Sequence, residues 1–565
     1  MPILPGFITF VIFRYWSNIL QFVSLYWTER QRERYADHWL VKLSGLIDFE
    51  ALESACRAFH SDSGRGQPVT HTTGRLVRAL LVKYLYNASL RETEELIDNH
   101  LLIKAFVGYH LFEAPLDHST LNRFEMWVFK HQPQLFFTEV IGLVDRLCPE
   151  DRERLQIVDT FAMKGRCAQT YLTELIRDVS RKLLKLLAVA DPIRHNHLSD
   201  ALDLEALFGE EGEQITAALK GQARGQRLQT VAQQALRLVR LLEHSLDQAP
   251  FLPPDEQAPL RLHLVALRKI IADECQVRAT DPADPDAVII TERPHGQKGS
   301  YRIGAASDLE TSYRDHGANS PTILGYNASV LGSSVFVRQT HVETGSQPDN
   351  VPLPELLQAQ FEQQGFYPDQ LAGDRMYGYG KVRAQVAQLT QGQTQIIALV
   401  PDYDQRSQRF NPRDFSLSDD GRSLTCPNQK TVSNAQSLTD RGGVLFRFSP
   451  NLCRACPLWD ACRGPDGKKS AKRSVFISAY RAHIDEALIF NQSDTFKQGI
   501  KARMNIERLI FNLTNIHGAR HAQSYGQARA DYQLKMQATA FNLRQLVREM
   551  AKKKSTLASV RPAVA

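Results

Sequence analysis

Three acidic residues, Asp159, Asp374 and Glu507, each end or follow an apolar run, and a run of that kind fixes where a carboxylate points. Oxygen ligands suit hard divalent cations such as Mg2+ or Mn2+. Two such ions about 3.5–4 Å apart can stabilise both the attacking and the leaving oxygen at phosphorus. Three converging carboxylates therefore read as a metal-binding signal for phosphoryl chemistry. A second signal is sulfur: Cys453, Cys456 and Cys462 follow Cys426, and four thiolates can close a tetrahedral zinc site. A closed site has no open position for substrate, so that zinc would be structural. It could supply on the order of 10 kcal/mol of folding free energy to a small polar domain.

The elements that must position these groups can be read from periodicity. Gln156-Ile157-Val158-Asp159-Thr160-Phe161-Ala162-Met163 predicts a buried strand carrying Asp159. Gln370-Leu371-Ala372-Gly373-Asp374 puts the second carboxylate at the end of a strand, with a turn at Tyr377-Gly378-Tyr379-Gly380 and a helix over 381–389 behind it. In open α/β sheets that edge is where ligands collect. Ile506, Leu509, Ile510 and Leu513 recur at helical spacing, so Glu507 belongs to a helix that stops near Gly518. At about 3.6 residues per turn, Ile500, Arg503, Glu507 and Thr514 share one flank of that helix, which would set Glu507 at the sheet edge rather than in open solvent. Strands are also predicted over 322–328, 334–340 and 395–400, the first two as a hairpin beside the Asp159 strand. Val444-Leu445-Phe446-Arg447-Phe448 would return the chain from Cys426 toward Cys453.

Each residue also has a plainer explanation. Arg503 and Glu507 could be an i,i+4 ion pair contributing about 0.2–0.5 kcal/mol. Asp374 could cap the following helix, Asp159 could be a turn residue, and the four cysteines could be unconnected thiols. The joint order and context of the three carboxylates favour the metal reading. The other cysteines, Cys56, Cys148, Cys167 and Cys275, are scattered without a disulfide framework, which fits a reducing cytoplasm.

From about Asp37 to Val547 the chain resembles the DDE transposases of bacterial insertion sequences. The likeness is to the branch whose last block reads Tyr-x2-Arg-x3-Glu-x6-Lys and whose members often carry cysteines ahead of it. The resemblance implies an RNase H-like α/β fold in which Asp159, Asp374 and Glu507 hold two divalent ions, with Arg503 as the helix arginine. It implies cleavage at transposon ends and strand transfer into target DNA, with double-stranded DNA as partner and a homo-oligomer assembled on it. Two positions depart from the block: Ile500 stands at the tyrosine and Thr514 at the lysine. That lysine would usually touch phosphate near the reacting end, a role open to Arg508 or Arg520. The departures keep two alternatives open: a catalytically inactive DNA-binding remnant, or a metal-dependent nuclease without strand joining.

The remaining sequence fills in the organisation. With 565 residues, 43% hydrophobic and 23% charged, the chain exceeds one typical domain, and its net charge of +6 leans only mildly toward nucleic acid. Helices are predicted over 73–86, 90–99 and 119–129, within a region 36–150 that could bind transposon ends or serve oligomerisation. Residues 169–287, rich in Leu, Ala, Gln and Arg, read as a helical insertion, and 403–474 as a zinc-ribbon-like insertion. The RNase H-like domain is thereby split into 151–168, 288–402 and 475–550. Arg520 and His521 offer phosphate contacts, and 551–565, opening near Lys552-Lys553-Lys554, is expected to be a disordered basic tail. Residues 3–27 are apolar and aromatic with Arg14 as the only charge. A central Arg costs about 2.5–3.5 kcal/mol on insertion scales, so 1–35 is expected to be an extension outside the functional fold, not a membrane anchor. A cytoplasmic, nucleoid-associated protein is expected.

Overall fold

The computed structural model describes residues 29–30, 33–60, 70–209, 220–248, 254–315, 321–400, 409–439, 442–464, 467–468 and 472–560. The apolar stretch 3–27 lies outside them. No helix among the described residues is long and apolar enough to cross a membrane.

From Trp39 the described residues form the helices α1 (Trp39–Ser44), α2 (Phe49–Cys56), α3 (Thr73–Leu85), α4 (Leu90–Asn99), α5 (Leu101–Val107), α6 (His118–His131) and α7 (Leu135–Leu147). Local chemistry sets their ends. Ser89 and Glu92 form a reciprocal capping box at α4, Asp117 accepts from Ser119 and Thr120 at α6, and Gly108 closes α5 in the left-handed conformation at φ 97°.

Next comes β1 (Gln156–Lys164), buried through most of its length because apolar side chains project from both faces. The chain then leaves the sheet for α8 (Leu172–Ala190), α9 (Pro192–Ala201), α10 (Leu204–Phe208), α11 (Gly221–Gln248) and α12 (Pro254–Glu274). These pack around a leucine-rich core of their own. The hairpin β2 (Cys275–Ala279) and β3 (Val288–Glu292) closes that bundle, with Ile290 inside its core and Gln229 of α11 bonding the Val288 carbonyl.

The main sheet continues with β4 (Ser312–Arg314), β5 (Ile323–Gly332), β6 (Val337–Thr344), β7 (Gln370–Ala372) and β8 (Gln395–Ile397), with α13 (Leu353–Gln364) and α14 (Gly380–Leu389) in the crossovers. β1 runs antiparallel to β5 from Ile157↔Gly332 to Lys164↔Gly325 and parallel to β7, which is parallel to β8. β6 and β4 follow one another along the far side of β5. The expected hairpin is thus present, with strands that run several residues further than the apolar runs suggested. One face of the sheet, through Val158, Leu331 and Leu371, packs on α13 and α14.

The chain departs again through three short strands, β9 (Ser416–Leu417), β10 (Leu424–Thr425) and β11 (Thr431–Val432), and a second set, β12 (Gln436–Leu438), β13 (Gly443–Phe448) and β14 (Arg473–Ser478). Between β13 and β14 lie α15 (Pro450–Cys453) and α16 (Trp459–Arg463). It returns through α17 (Arg481–Phe490), α18 (Asp494–Ala502), α19 (Asn505–Phe511), a π-turn Asn512–Ile516 and α20 (Gln527–Val560). Ile506, Leu509 and Leu513 cover the second face of the sheet with Ala530, Leu534 and Phe541 of α20.

Two expectations are corrected. The disordered tail does not begin at 551: α20 continues to Val560, and Lys552 and Lys553 reach Glu549 and Glu150, with Lys553 Nζ also bonding the Leu147 carbonyl. The helix bearing Glu507 is not continuous either. Bonds tighten to i→i−3 at Met504, Ile506 and Glu507, and the π-turn then widens the helix. Thr514 is consequently turned inward, 4% exposed, with its hydroxyl on the Ile510 carbonyl.

Arg338 of β6 is fully buried and ties the sheet to the N-terminal region. Its Nε and Nη2 donate to Asp151 Oδ2 at 2.8 and 2.6 Å, it also pairs with Asp145, and Gln364 Nε2 donates to its carbonyl at 2.7 Å. Asp151 is fully buried as well, so removing one partner strands a charge. Arg338→Met is expected to destabilise the protein by about 3–5 kcal/mol in urea unfolding, with partial recovery in Arg338→Met/Asp151→Leu. A loss no larger than that of a surface ion pair would contradict this role.

Candidate metal centre

The backbone brings Asp159 and Asp374 together. β1 and β7 are parallel neighbours with Ile157 opposite Ala372, so Asp159, two residues further along β1, lies near Asp374, two residues past the end of β7, and the charge of Asp374 acts on it. Alternation places Asp159 on the face of Ile157 and Phe161, toward Ile506 and Leu509 of α19. Gly373 allows the turn that follows β7: a Cβ there would meet the Tyr377 ring at 2.6 Å. Asp374 then accepts from the Met376 amide at 2.8 Å, opening a short 3-10 turn, so its helix-capping role and its place beside Asp159 coexist.

The electrostatics of the pair are unfavourable. Burial pushes the Asp159 carboxyl up to about 6, against the Thr160 amide that donates to it at 2.8 Å, and the charges of Asp374 and Asp349 push it the same way. Burial also raises Asp374, with Asp349 adding to it. Arg503 opposes both shifts. Its Nη1 lies 3.9 Å from Asp159 Oδ2, so it pairs with the strand carboxylate, and no ion pair between it and Glu507 is seen among the described residues. Crowded, half-buried carboxylates of this kind favour either a proton or a cation, and their oxygen donor set fits a hard divalent ion.

Glu507 occupies the first turn of α19, one turn beyond Arg503, and its side chain is exposed to solvent rather than sheltered at the sheet edge. The buried side of α19 is supplied by Ile506 and Leu509, which turns Glu507 outward. Arg508, Arg520 and His521 are exposed, and the Arg508 guanidinium bonds the Ser334 carbonyl at 2.9 Å. The segment 520–522 lies along the end of β1, where Lys164 N donates to the Arg520 carbonyl and Ala522 N to the Lys164 carbonyl.

Asp349 escaped the sequence reading. It follows β6 in a Pro-Asp-Asn turn, and Arg314 Nη2 and Asn327 Nδ2 hold its Oδ1 at 2.6 and 3.0 Å. The same Arg314 nitrogen reaches the hydroxyl of Thr160, next to Asp159, at 3.2 Å. Asn350 ties this turn to the Met376 carbonyl beyond Asp374. A single Asp beside Pro carries no signal without the pairing of β5 with β1, which is long-range information.

The four cysteines converge elsewhere. Cys426, Cys453, Cys456 and Cys462 line one cavity of about 30 Å3 with Phe410, Phe448 and Trp459. Burial raises the Cys453 and Cys462 thiols, and the neighbouring sulfurs add to it. Cys426 opens a tight turn in which the Gln429 amide donates to its carbonyl.

The sign of the Asp159 shift makes a stability statement. Because its folded-state value is raised from 3.8 to about 6, its favourable contribution is present below about pH 4 and lost as pH rises through 6. In EDTA, Asp159→Asn is expected to be more stable than the native chain at pH 8, by on the order of 2 kcal/mol, with the difference vanishing toward pH 4. Urea unfolding across that range checks it, and a pH-independent difference would contradict it.

Comparison with known proteins adds two findings. The transposase domain DUF772 matches residues 28–126, which hold the first helices, and a transposase DDE domain matches 425–547, which holds the four cysteines, Arg503 and Glu507. Asp159 and Asp374 fall between the two matches. No curated protein and no solved structure matches the chain. Transposase domains imply a DNA substrate, and the DDE domain implies an enzyme of nuclease or transposase kind from a family that typically uses divalent metal ions. Together the two matches support a DDE transposase, and an origin in an insertion sequence is consistent with them.

Proposed function

We propose that the chain cleaves DNA at the terminal inverted repeats of an insertion sequence and joins the freed ends to target DNA, at a site formed by Asp159, Asp374 and Glu507. The observation that carries this reading is the juxtaposition of Asp159 on β1 with Asp374 just past the end of the parallel β7, with both carboxyl groups pushed up by burial. Supporting an RNase H-like reading of the sheet are the order β6-β5-β1-β7-β8 and the antiparallel β5 beside parallel β1, β7 and β8.

Asp159 and Asp374 would hold two Mg2+ or Mn2+ ions with Glu507 reaching in from α19. When bound, these ions activate water or a 3′-hydroxyl and neutralise the departing 3′-oxygen. Arg503 offsets part of the carboxylate charge and steadies Asp159. Arg520 and His521, exposed near the end of β1, and Arg508, exposed beside Ser334 toward its start, would contact backbone phosphates and so set the register of the duplex. The helices of 36–150 would recognise transposon ends or join copies of the chain on DNA, within a bacterial cytoplasm. The cysteine cavity would hold a structural Zn2+, and the thiolates of Cys426, Cys453, Cys456 and Cys462 would tie β10 to α15 and α16.

A second reading, a DNA-binding remnant without catalysis, is favoured by one observation. Ile500 packs against the core and Thr514 is buried in the π-turn, so neither can meet DNA as tyrosine and lysine would.

Labelled DNA carrying the flanking repeats distinguishes these readings. With Mg2+ or Mn2+, nicking and joined product are expected, both lost in Asp159→Asn, Asp374→Asn and Glu507→Gln while the variants stay folded. Retained cleavage in any of them would break the assignment. Nicking without joining would mark a nuclease, and binding without cleavage a remnant. Cys453→Ser is expected to lower bound zinc by about one ion per chain and to increase proteolysis within 403–474; unchanged zinc content would overturn the structural site.

A further inference from the structure

We propose that His341, Glu343 and Glu355 form a second cation site, separate from the Asp159–Asp374 pair, that takes a borderline divalent transition ion such as Zn2+ or Mn2+. His341 and Glu343 are two residues apart on β6 and project from one face of the sheet. Glu355 reaches them from the first turn of α13. One ligand atom from each lies within 4.8 Å of the others. His341 Nε2 is 2.8 Å from a Glu343 oxygen and 3.6 Å from a Glu355 oxygen. Ligands bonded tetrahedrally at about 2.0–2.1 Å stand about 3.3 Å apart, so small side-chain rotations would seat an ion. One imidazole with two carboxylates suits Zn2+ or Mn2+ better than Mg2+, which prefers oxygen and water.

A second observation comes from the neighbouring strand. Ser329 pairs with His341 and Asn327 with Glu343, so all four side chains share a face. Ser329 and Asn327 are 1% and 0% exposed, and Ser329 Oγ and Asn327 Oδ1 have no hydrogen-bond partner. Buried oxygens in that state are costly. A protonated His341 between two glutamates would account for the cluster but would leave both oxygens without a donor. A cation's bound water, held on the same face of the sheet, would offer them donors. Thr160 pairs with Ser329 across the other ladder, so the polar row runs from β1 to β6, and an ion at its outer end would pin the start of α13 to the sheet.

The test uses the full chain carrying Asp159→Asn and Asp374→Asn, which removes the first site, with Mn2+ as probe because a hard ion avoids the thiolates. Equilibrium dialysis is expected to find one retained Mn2+ per chain, displaced by Zn2+, with affinity weakened about tenfold or more by His341→Ala and by Glu355→Gln. Glu355 is largely exposed, so its variant should fold. In that variant the Mn2+-dependent rise in Tm should also disappear. Absence of a retained ion, or unchanged affinity in both variants, would overturn the proposal.

Discussion

Two carboxylates of the same charge, one within β1 and the other just past the carboxyl end of the parallel β7, and half removed from water, are the constraint around which this molecule is arranged. Left alone, Asp159 and Asp374 destabilise the fold near neutral pH, since burial raises the cost of each charge and the other charges nearby add to it. The sheet tolerates this because β1 is central, paired on both sides and covered on both faces. Arg503 offsets part of the cost, and its 3.9 Å separation from Asp159 leaves the carboxylate oxygens open to a cation.

Everything inserted into the chain leaves the sheet around that pair of carboxylates intact. The helical bundle departs after β1 and the cysteine-bearing strands depart after β8, and each has its own core. The 34-residue α20 joins the parts. Ala530, Leu534, Ala538 and Phe541 pack on the sheet core, while Tyr532, Met536, Ala540, Leu543 and Val547 pack among the N-terminal helices. One continuous helix thus couples the region matched by the first transposase domain to the sheet that carries the carboxylates, and the buried Arg338 network ties the same sheet to Asp145 and Asp151, just beyond that region.

What could be read from sequence follows from the range of the interactions involved. The Asp159 strand, the turn after Asp374, the helix Leu90–Asn99 and the convergence of four cysteines all have local signatures: buried β-branched runs, glycine turns, a capping box and thiol spacing. The break at Arg503 and the π-turn have none, and so Thr514 was expected on a flank it does not occupy. Asp349, His341 and Glu343 were missed for the same reason. Their meaning depends on strand register between β1, β5 and β6, which no window of sequence contains.

The most direct measurement is an anomalous difference map from crystals grown with Mn2+ and DNA ends. Two peaks are expected between Asp159 and Asp374, one of them shared with Glu507. A map in which no ion touches both Asp159 and Asp374 would contradict a two-ion site on this sheet.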